Sequence, residues 1–270
     1  MGVKRAVEIA LSAPIKYEKP IYTFGPLIHN PQVMQILYKK GISIINDLPA
    51  HAKGSVMIRA HGVPPHVHNN LINAGFTVID ATCPRVIKVQ SIIKKYANMG
   101  YTSIIVGDKK HPEVIGLMGY AKKNSSVIND LNSLKKLPLF KKAIIVAQTT
   151  QNVSSFNKIK KWAKIHFPHY FCFNTICDST IKRQEEVKQL TKSVDAIIVI
   201  GGFNSGNTKR LAEIAAVSGI QVHHIEKESE LNINALKPCR SVGITSGAST
   251  PDWIIQKICR TLESLLTNNE

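Results

Sequence analysis

Two cysteines stand at the head of the same phrase. Cys83 opens Cys-Pro-Arg-Val-Ile-Lys over 83–88, and Cys177 opens Cys-Asp-Ser-Thr-Ile-Lys-Arg over 177–183. In both copies an apolar strand ends at the cysteine and a basic helix follows. The chain's own opening, Met1-Gly2-Val3-Lys4-Arg5, has the same helix start, and the place of the cysteine falls ahead of Met1. One thiolate per copy of a threefold repeat can set three sulfurs around one point, enough for a cluster or a metal. A single cysteine is more often a packing residue; shared repeat position favours ligation for Cys83 and Cys177. Cys172 lies five residues before Cys177 on the same expected strand, so it should face the other side of the sheet. Cys239 at a strand start and Cys259 in the terminal helix read as packing residues.

Polar residues recur at matching places. His29, His61 and His111 each follow an apolar run, close to Gly or Pro, which favours a site over isolated surface histidines. His51, His66, His68, His166, His169, His223 and His224 have no repeat partner. The stretches Asn204-Ser205-Gly206-Asn207-Thr208 and Gly247-Ala248-Ser249-Thr250-Pro251-Asp252 precede helices. Such residues are ordinary N-caps, and the same geometry presents backbone N–H groups to a phosphate. Glu113, in His111-Pro112-Glu113-Val114, reads either as a first-turn acid favoured by the helix dipole or as a proton donor in a partly closed cavity. Thr149, in Gln148-Thr149-Thr150, could relay a proton or hold a substrate hydroxyl.

The elements that must position these groups repeat with a period of about ninety residues, the size of a small α/β subdomain. An apolar strand ending in glycine comes first in each copy: Pro20–Gly25, Thr102–Gly107 and Asp195–Gly201. Four residues past the glycine stand His29, His111 and Ser205, each opening a helix: Pro31–Lys40, Pro112–Lys123 and Thr208–Ser218. A second strand follows at Ser55–Ala60, Ala143–Ala147 and Ser241–Thr245. Strands at Phe76–Ala81 and Tyr170–Ile176 lead into the two cysteines. Short β-branched runs such as Ile197-Ile198-Val199-Ile200 suit strands buried on both faces of a parallel sheet, and alternation with helices argues α/β. Ligands gather at the carboxyl ends of such strands, so a threefold arrangement would aim three polar rims at one central cavity. The expected lobes are 1–82, 83–176 and 177–270, the first lacking its opening strand and cysteine.

Composition bounds the rest. The 270 residues can bury a substantial core. No apolar run nears the roughly 20 residues of a membrane span, and no secretory signal precedes the fold. Five cysteines, an odd number, suggest reduced thiols in the cytoplasm. A net charge of +17 would draw in an anionic small substrate. It could also attract nucleic acid, but RNA-reading motifs and aromatic interleaving are lacking, and solvated basic faces such as Lys158–Lys164 account for it more simply.

Taken in order, these phrases resemble one family, the LytB-type 4-hydroxy-3-methylbut-2-enyl diphosphate reductases. The matching stretches are Leu27-Ile28-His29-Asn30, Arg59-Ala60-His61-Gly62-Val63, Asp80-Ala81-Thr82-Cys83-Pro84, His111–Val114, Gln148–Thr150, Cys177 with Thr180–Gln184, Asn204–Leu211 and Gly247–Asp252, covering nearly the whole chain. The resemblance implies a pseudo-threefold α/β trefoil around a central [4Fe-4S] cluster. It implies reductive removal of an allylic hydroxyl by two electrons and two protons, giving isopentenyl and dimethylallyl diphosphate. Cys83 and Cys177 would ligate the cluster, with the first of three cysteines preceding Met1. His29, His61, Ser205, Asn207 and Ser249 would hold the diphosphate, with His111 close by. Glu113 would deliver protons and Thr149 would contact the end losing its hydroxyl. The electron donor would be a ferredoxin or flavodoxin, to which a basic face is suited. Where the family commonly has two serines, this chain has Ser205-Gly206, so a backbone N–H remains at Gly206 and one hydroxyl contact is lost.

Competing expectations keep the same fold. One is that the sequence starts at an internal methionine of the reductase. Another is a truncated, inactive homologue with a labile cluster and an exposed sheet edge. A basic module binding anions or nucleic acid is a third reading, against which Glu113, Thr149 and the rim histidines speak. A zinc site from Cys83, Cys177 and a histidine lacks the close ligand pairs usual for zinc.

Overall fold

The computed structural model describes residues 2–267. The chain begins with α1 (Gly2–Lys16), β1 (Ile21–Phe24), α2 (Pro31–Lys39), β2 (Ile42–Ile45), β3 (Ser55–Ile58), α3 (Pro65–Asn73) and β4 (Thr77–Asp80). It continues with α4 (Pro84–Asn98), β5 (Thr102–Val106), α5 (Pro112–Met118), β6 (Ser126–Ile128), α6 (Leu131–Lys135), β7 (Ala143–Ala147), α7 (Val153–His166) and β8 (Phe171–Cys172). The last third holds α8 (Asp178–Leu190), β9 (Ala196–Ile200), α9 (Gly206–Ala216), β10 (Gln221–Ile225), a short 3-10 turn (Glu228–Glu230), α10 (Ile233–Leu236), β11 (Val242–Ser246) and α11 (Asp252–Thr267). No helix among the described residues is long and apolar enough to cross a membrane.

Three small sheets form, ordered β2-β1-β3-β4, β6-β5-β7-β8 and β10-β9-β11. All pairings are parallel. The expected α/β class and its three parallel-sheet subdomains are present, each with the first strand of its copy in an interior position. By packing, residues up to Ile28 with Met34–Cys177 form one compact unit that carries the first two sheets. His29–Val33 with Asp178 onward form another that carries the third.

The β-branched runs explain the cores. β5, β7 and β9 are buried along their whole length. In β9 the alternation of strand faces separates two clusters. Ile198 and Ile200 pack with Ile254 and Ile258 of α11, whereas Ile197 and Val199 pack with Val187 of α8 and Leu211 and Ile214 of α9. The sheet is thus covered on both sides. Replacing the fully buried Ile198 with Ala should cost about 2–5 kcal/mol, read as a lower denaturant midpoint with an unchanged slope.

The structure corrects several expected boundaries. Each sheet gains an edge strand (β2, β6 or β10) after the helix that follows its central strand. These strands are short and only partly buried, so their apolar runs are broken by polar residues, as in Gln221-Val222-His223-His224-Ile225. The helix expected over 112–123 stops at Met118. The amides of Tyr120 and Ala121 bond back only three residues, to Leu117 and Met118, which tightens and ends the turn. Gly119 meets Pro64 there, and a Cβ on it would stand 2.5 Å from the Pro64 Cβ. The strand expected over 170–176 pairs only at Phe171 and Cys172. Further on, the Thr175 hydroxyl accepts from the Ala147 N–H at 2.8 Å and donates to the Ala147 carbonyl at 2.6 Å, so a side chain takes the place of the ladder. Cys177 is therefore off the strand, and its spacing from Cys172 does not set their faces.

Candidate active site

Each site residue expected from the sequence lies beyond the carboxyl end of a strand, where the fold leaves helix N-termini and polar groups. Proline or a small polar cap starts the helices beyond. Asn30 caps α2 by accepting from the Val33 N–H at 2.9 Å, so His29 lies one residue outside the helix. His111 is itself the cap of α5, and Ser205 that of α9. The first copy is thus offset by one residue from the other two. Cys83 occupies the N-cap of α4 with Pro84 behind it, and Cys177 immediately precedes α8.

In the unit holding the first two sheets, six of the expected residues form one linked set. The Cys83 N–H donates to the Ala60 carbonyl at 2.9 Å, just ahead of His61. The His61 and His111 rings meet edge to face at 5.1 Å. The His111 Nδ1 accepts from the Glu113 N–H at 3.1 Å, which leaves Nε2 as the ring's N–H in the neutral form. Glu113 is buried, and its carboxylate is held at both oxygens by Thr149. Oε1 accepts from the Thr149 N–H at 2.6 Å and Oε2 from its hydroxyl at 2.8 Å. The Cys177 N–H donates to the Thr149 carbonyl at 2.9 Å, closing the sequence Cys83, His61, His111, Glu113, Thr149, Cys177. Glu113 is therefore no mere first-turn acid, since its carboxylate turns to a strand end rather than to its own helix.

Cys83 and Cys177 are both outside any disulfide and partly exposed. Two soft thiol donors thus stand at helix starts, a donor set that fits an iron–sulfur centre. The start of α1 adjoins the first of them. A Cβ on Gly2 would stand 2.1 Å from the Cys83 Sγ, and Arg5 donates to the Thr82 carbonyl at 3.2 Å. Cys172 differs, because burial pushes its thiol pKa up, with Lys160 opposing the shift. That suits the packing role expected of it.

In the other unit the remaining residues surround the start of α9. Ser205 accepts from the Thr208 N–H at 3.3 Å, the cap bond expected of it. Asn207 is buried, and its Nδ2 has no hydrogen-bond partner among the described residues. A buried donor of that kind calls for a partner from outside the fold, an ordered water or a ligand. Ser249 donates to the His29 carbonyl at 3.4 Å. Gly202 packs on the same carbonyl, where a Cβ would come within 2.3 Å of the oxygen. Two residues within the quoted phrases, buried Thr208 and half-buried Arg59, were given no role by the sequence. Thr208 is wedged between Gly201 and Gly247, whose Cβ atoms would stand 2.8 and 2.1 Å from its hydroxyl. Arg59 sits on Gly25. Their one signal was glycine at strand ends, which marks close approach without saying of what.

Parallel α/β subdomains with thiols, imidazoles, hydroxyls and a buried carboxylate at their strand ends have the layout of α/β enzymes, which bind ligands at that edge. The chain belongs to the LytB protein family, whose model matches residues 1–263. It is 41% identical over 262 residues to a protein of Geobacter sulfurreducens named 4-hydroxy-3-methylbut-2-enyl diphosphate reductase, covering 97% of this chain and 93% of that one. It is 40% identical to a protein of the same name from Caldanaerobacter subterraneus, covering 100% and 95%. Among solved structures, it superposes with a TM-score of 0.91 on the E-1-hydroxy-2-methyl-but-2-enyl-4-diphosphate reductase of Plasmodium falciparum, at 30% identity over 97% of this chain and 84% of that one. A second structure has a TM-score of 0.69 at 38% identity, over 98% and 95%. It is titled as (E)-4-hydroxy-3-methyl-but-2-enyl diphosphate reductase, the terminal enzyme of the non-mevalonate pathway.

Proposed function

We propose that this chain is a 4-hydroxy-3-methylbut-2-enyl diphosphate reductase, acting at the end of the non-mevalonate route to isoprenoids. The substrate's allylic hydroxyl leaves as water, two electrons and two protons enter, and isopentenyl and dimethylallyl diphosphate result. The observation that carries this reading is the buried Glu113–Thr149 pair, which joins a proton source to a hydroxyl at a strand end. It is supported by the family membership and by the cysteine thiols at either end of the linked set.

Cys83 and Cys177 would be two of the residues that hold a [4Fe-4S] cluster, which when bound would supply the electrons and Lewis-acid polarisation of the leaving hydroxyl. The protein's own groups do the rest. A hydroxyl is a poor leaving group until protonated. With Glu113 protonated, its O–H donates to the Thr149 oxygen, and the Thr149 hydroxyl then turns to donate to the substrate oxygen. Burial keeps bulk water from competing for that proton. His29, His61, Ser205, Asn207 and Ser249 hold the diphosphate with the Gly206 N–H, and His111 stands close by. The helix N-terminus of α9 adds its own preference for negative charge there. The electrons come from a small acidic ferredoxin or flavodoxin, matched to the chain's net charge of +17. Reduced thiols fit a cytoplasmic setting.

Anaerobic turnover of the reconstituted protein with substrate and a reductant tests the reading. Formation of the two five-carbon diphosphates is expected, and a cluster-loaded protein that leaves the substrate unchanged would refute it. Asn207→Ala should raise KM about 10- to 100-fold with kcat little changed, since it removes a hydrogen bond to a charged group. An unchanged KM would take Asn207 out of the diphosphate site.

A further inference from the structure

Arg59 follows β3 and stands two residues ahead of His61. Its guanidinium lies on the bare backbone of Gly25, just past the end of β1. A Cβ built there would be 2.7 Å from Nη1 and 3.5 Å from Cζ. The φ of +69° at Gly25 favours glycine independently, so the seat is doubly tied to that residue. The Arg59 Nε is buried and has no hydrogen-bond partner among the described residues. No carboxylate pairs with the guanidinium among them either. Burial alone pulls the Arg59 pKa below its ordinary value, with no acid opposing it. A guanidinium nevertheless keeps its charge at physiological pH. The exposed part of the guanidinium keeps its hydration, whereas the buried Nε lacks an acceptor that the oxygen of an anionic ligand would supply.

We infer that Arg59 is a further anion-binding residue at the carboxyl end of the first sheet, taking phosphoryl oxygens of the diphosphate substrate beside His61. Arginine's planar fork suits such oxygens, which it can hold two at a time. Arg59 would add a guanidinium's charge and fork to the imidazole that His61 presents at the same sheet end. The identity of the ligand rests on the reductase reading.

The test is the affinity of the whole protein for inorganic diphosphate, measured by calorimetry at two salt concentrations, alongside the kinetics of turnover. Arg59→Met keeps a long stem over Gly25, so the fold should persist. It is expected to weaken diphosphate binding about 10- to 100-fold and to flatten its salt dependence. KM should rise by a similar factor, with kcat within about threefold of the wild type. Arg59→Lys should recover part of the affinity, because the charge remains while the fork is lost. Unchanged diphosphate affinity in Arg59→Met would overturn the inference, as would Lys and Met variants that are equally impaired. Should the Met variant not fold, an Arg59→Lys protein with wild-type affinity would overturn it as well, and one binding several-fold more weakly would support it. A wild type that turns over but is indifferent to Arg59 refutes this inference alone. A wild type that binds diphosphate through Arg59 but never reduces the substrate refutes the reductase reading alone.

Discussion

Glu113→Gln is expected to lower kcat by about 10²- to 10⁴-fold, the usual weight of a positioned general acid, while leaving KM close to that of the wild type. The substitution is nearly isosteric, and the geometry says what each half of the new amide does. Its carbonyl can still accept from the Thr149 N–H, as Oε1 does now at 2.6 Å. Its NH₂ must face the Thr149 oxygen, where Oε2 now accepts the hydroxyl at 2.8 Å. That arrangement resembles the protonated acid in hydrogen bonding and cannot pass a proton on. Folding and substrate binding should therefore survive while proton delivery stops. Thr149→Val should act in the same direction by removing the relay, and single-turnover measurements under anaerobic conditions read both. A Glu113→Gln protein whose kcat stays within about threefold of the wild type would remove Glu113 from the reaction.

Cys83→Ser and Cys177→Ser should each lose most of the iron and acid-labile sulfide held after reconstitution, and activity with them. Cys172→Ser should keep both. Serine preserves size at all three positions, so a difference among them reports on ligation rather than packing. The contrast has a structural cause. Cys83 and Cys177 lie at helix starts beyond strand ends, at the two ends of the set linked through Glu113 and Thr149. Cys172 lies within a strand, and burial disfavours its thiolate. Full iron content in the Cys83→Ser protein would be incompatible with the proposed ligand set.

Much of this protein was legible before any coordinates. The buried strands announce themselves because a strand covered on both faces needs apolar residues at every position, as in Ile197-Ile198-Val199-Ile200. Helix starts were visible in Pro31, Pro112 and Ser205, since the first-turn amides need a cap or no N–H at all. The edge strands β2, β6 and β10 were not visible, because a half-exposed strand of three to five residues has too few apolar positions to establish a period. The end of β8 was hidden for a different reason: a threonine side chain substitutes for backbone pairing, and sequence does not reveal which hydroxyl will do that.

The sequence by itself determined the α/β repeat, the family, and the residue types available at each strand end, because these depend on local order along the chain. Only the tertiary structure decided which of those residues meet. Glu113 and Thr149 are 36 positions apart, and nothing local aims one at the other. The two strands that precede them, β5 and β7, are hydrogen-bonded neighbours in register, which brings their carboxyl ends together. The same holds for Arg59 and Gly25, which lie past the ends of the paired strands β3 and β1. Parallel pairing places strand ends side by side whatever their separation in the chain. A list of polar residues becomes a buried carboxylate held by a threonine, and a cation seated on a glycine, only when that pairing is known.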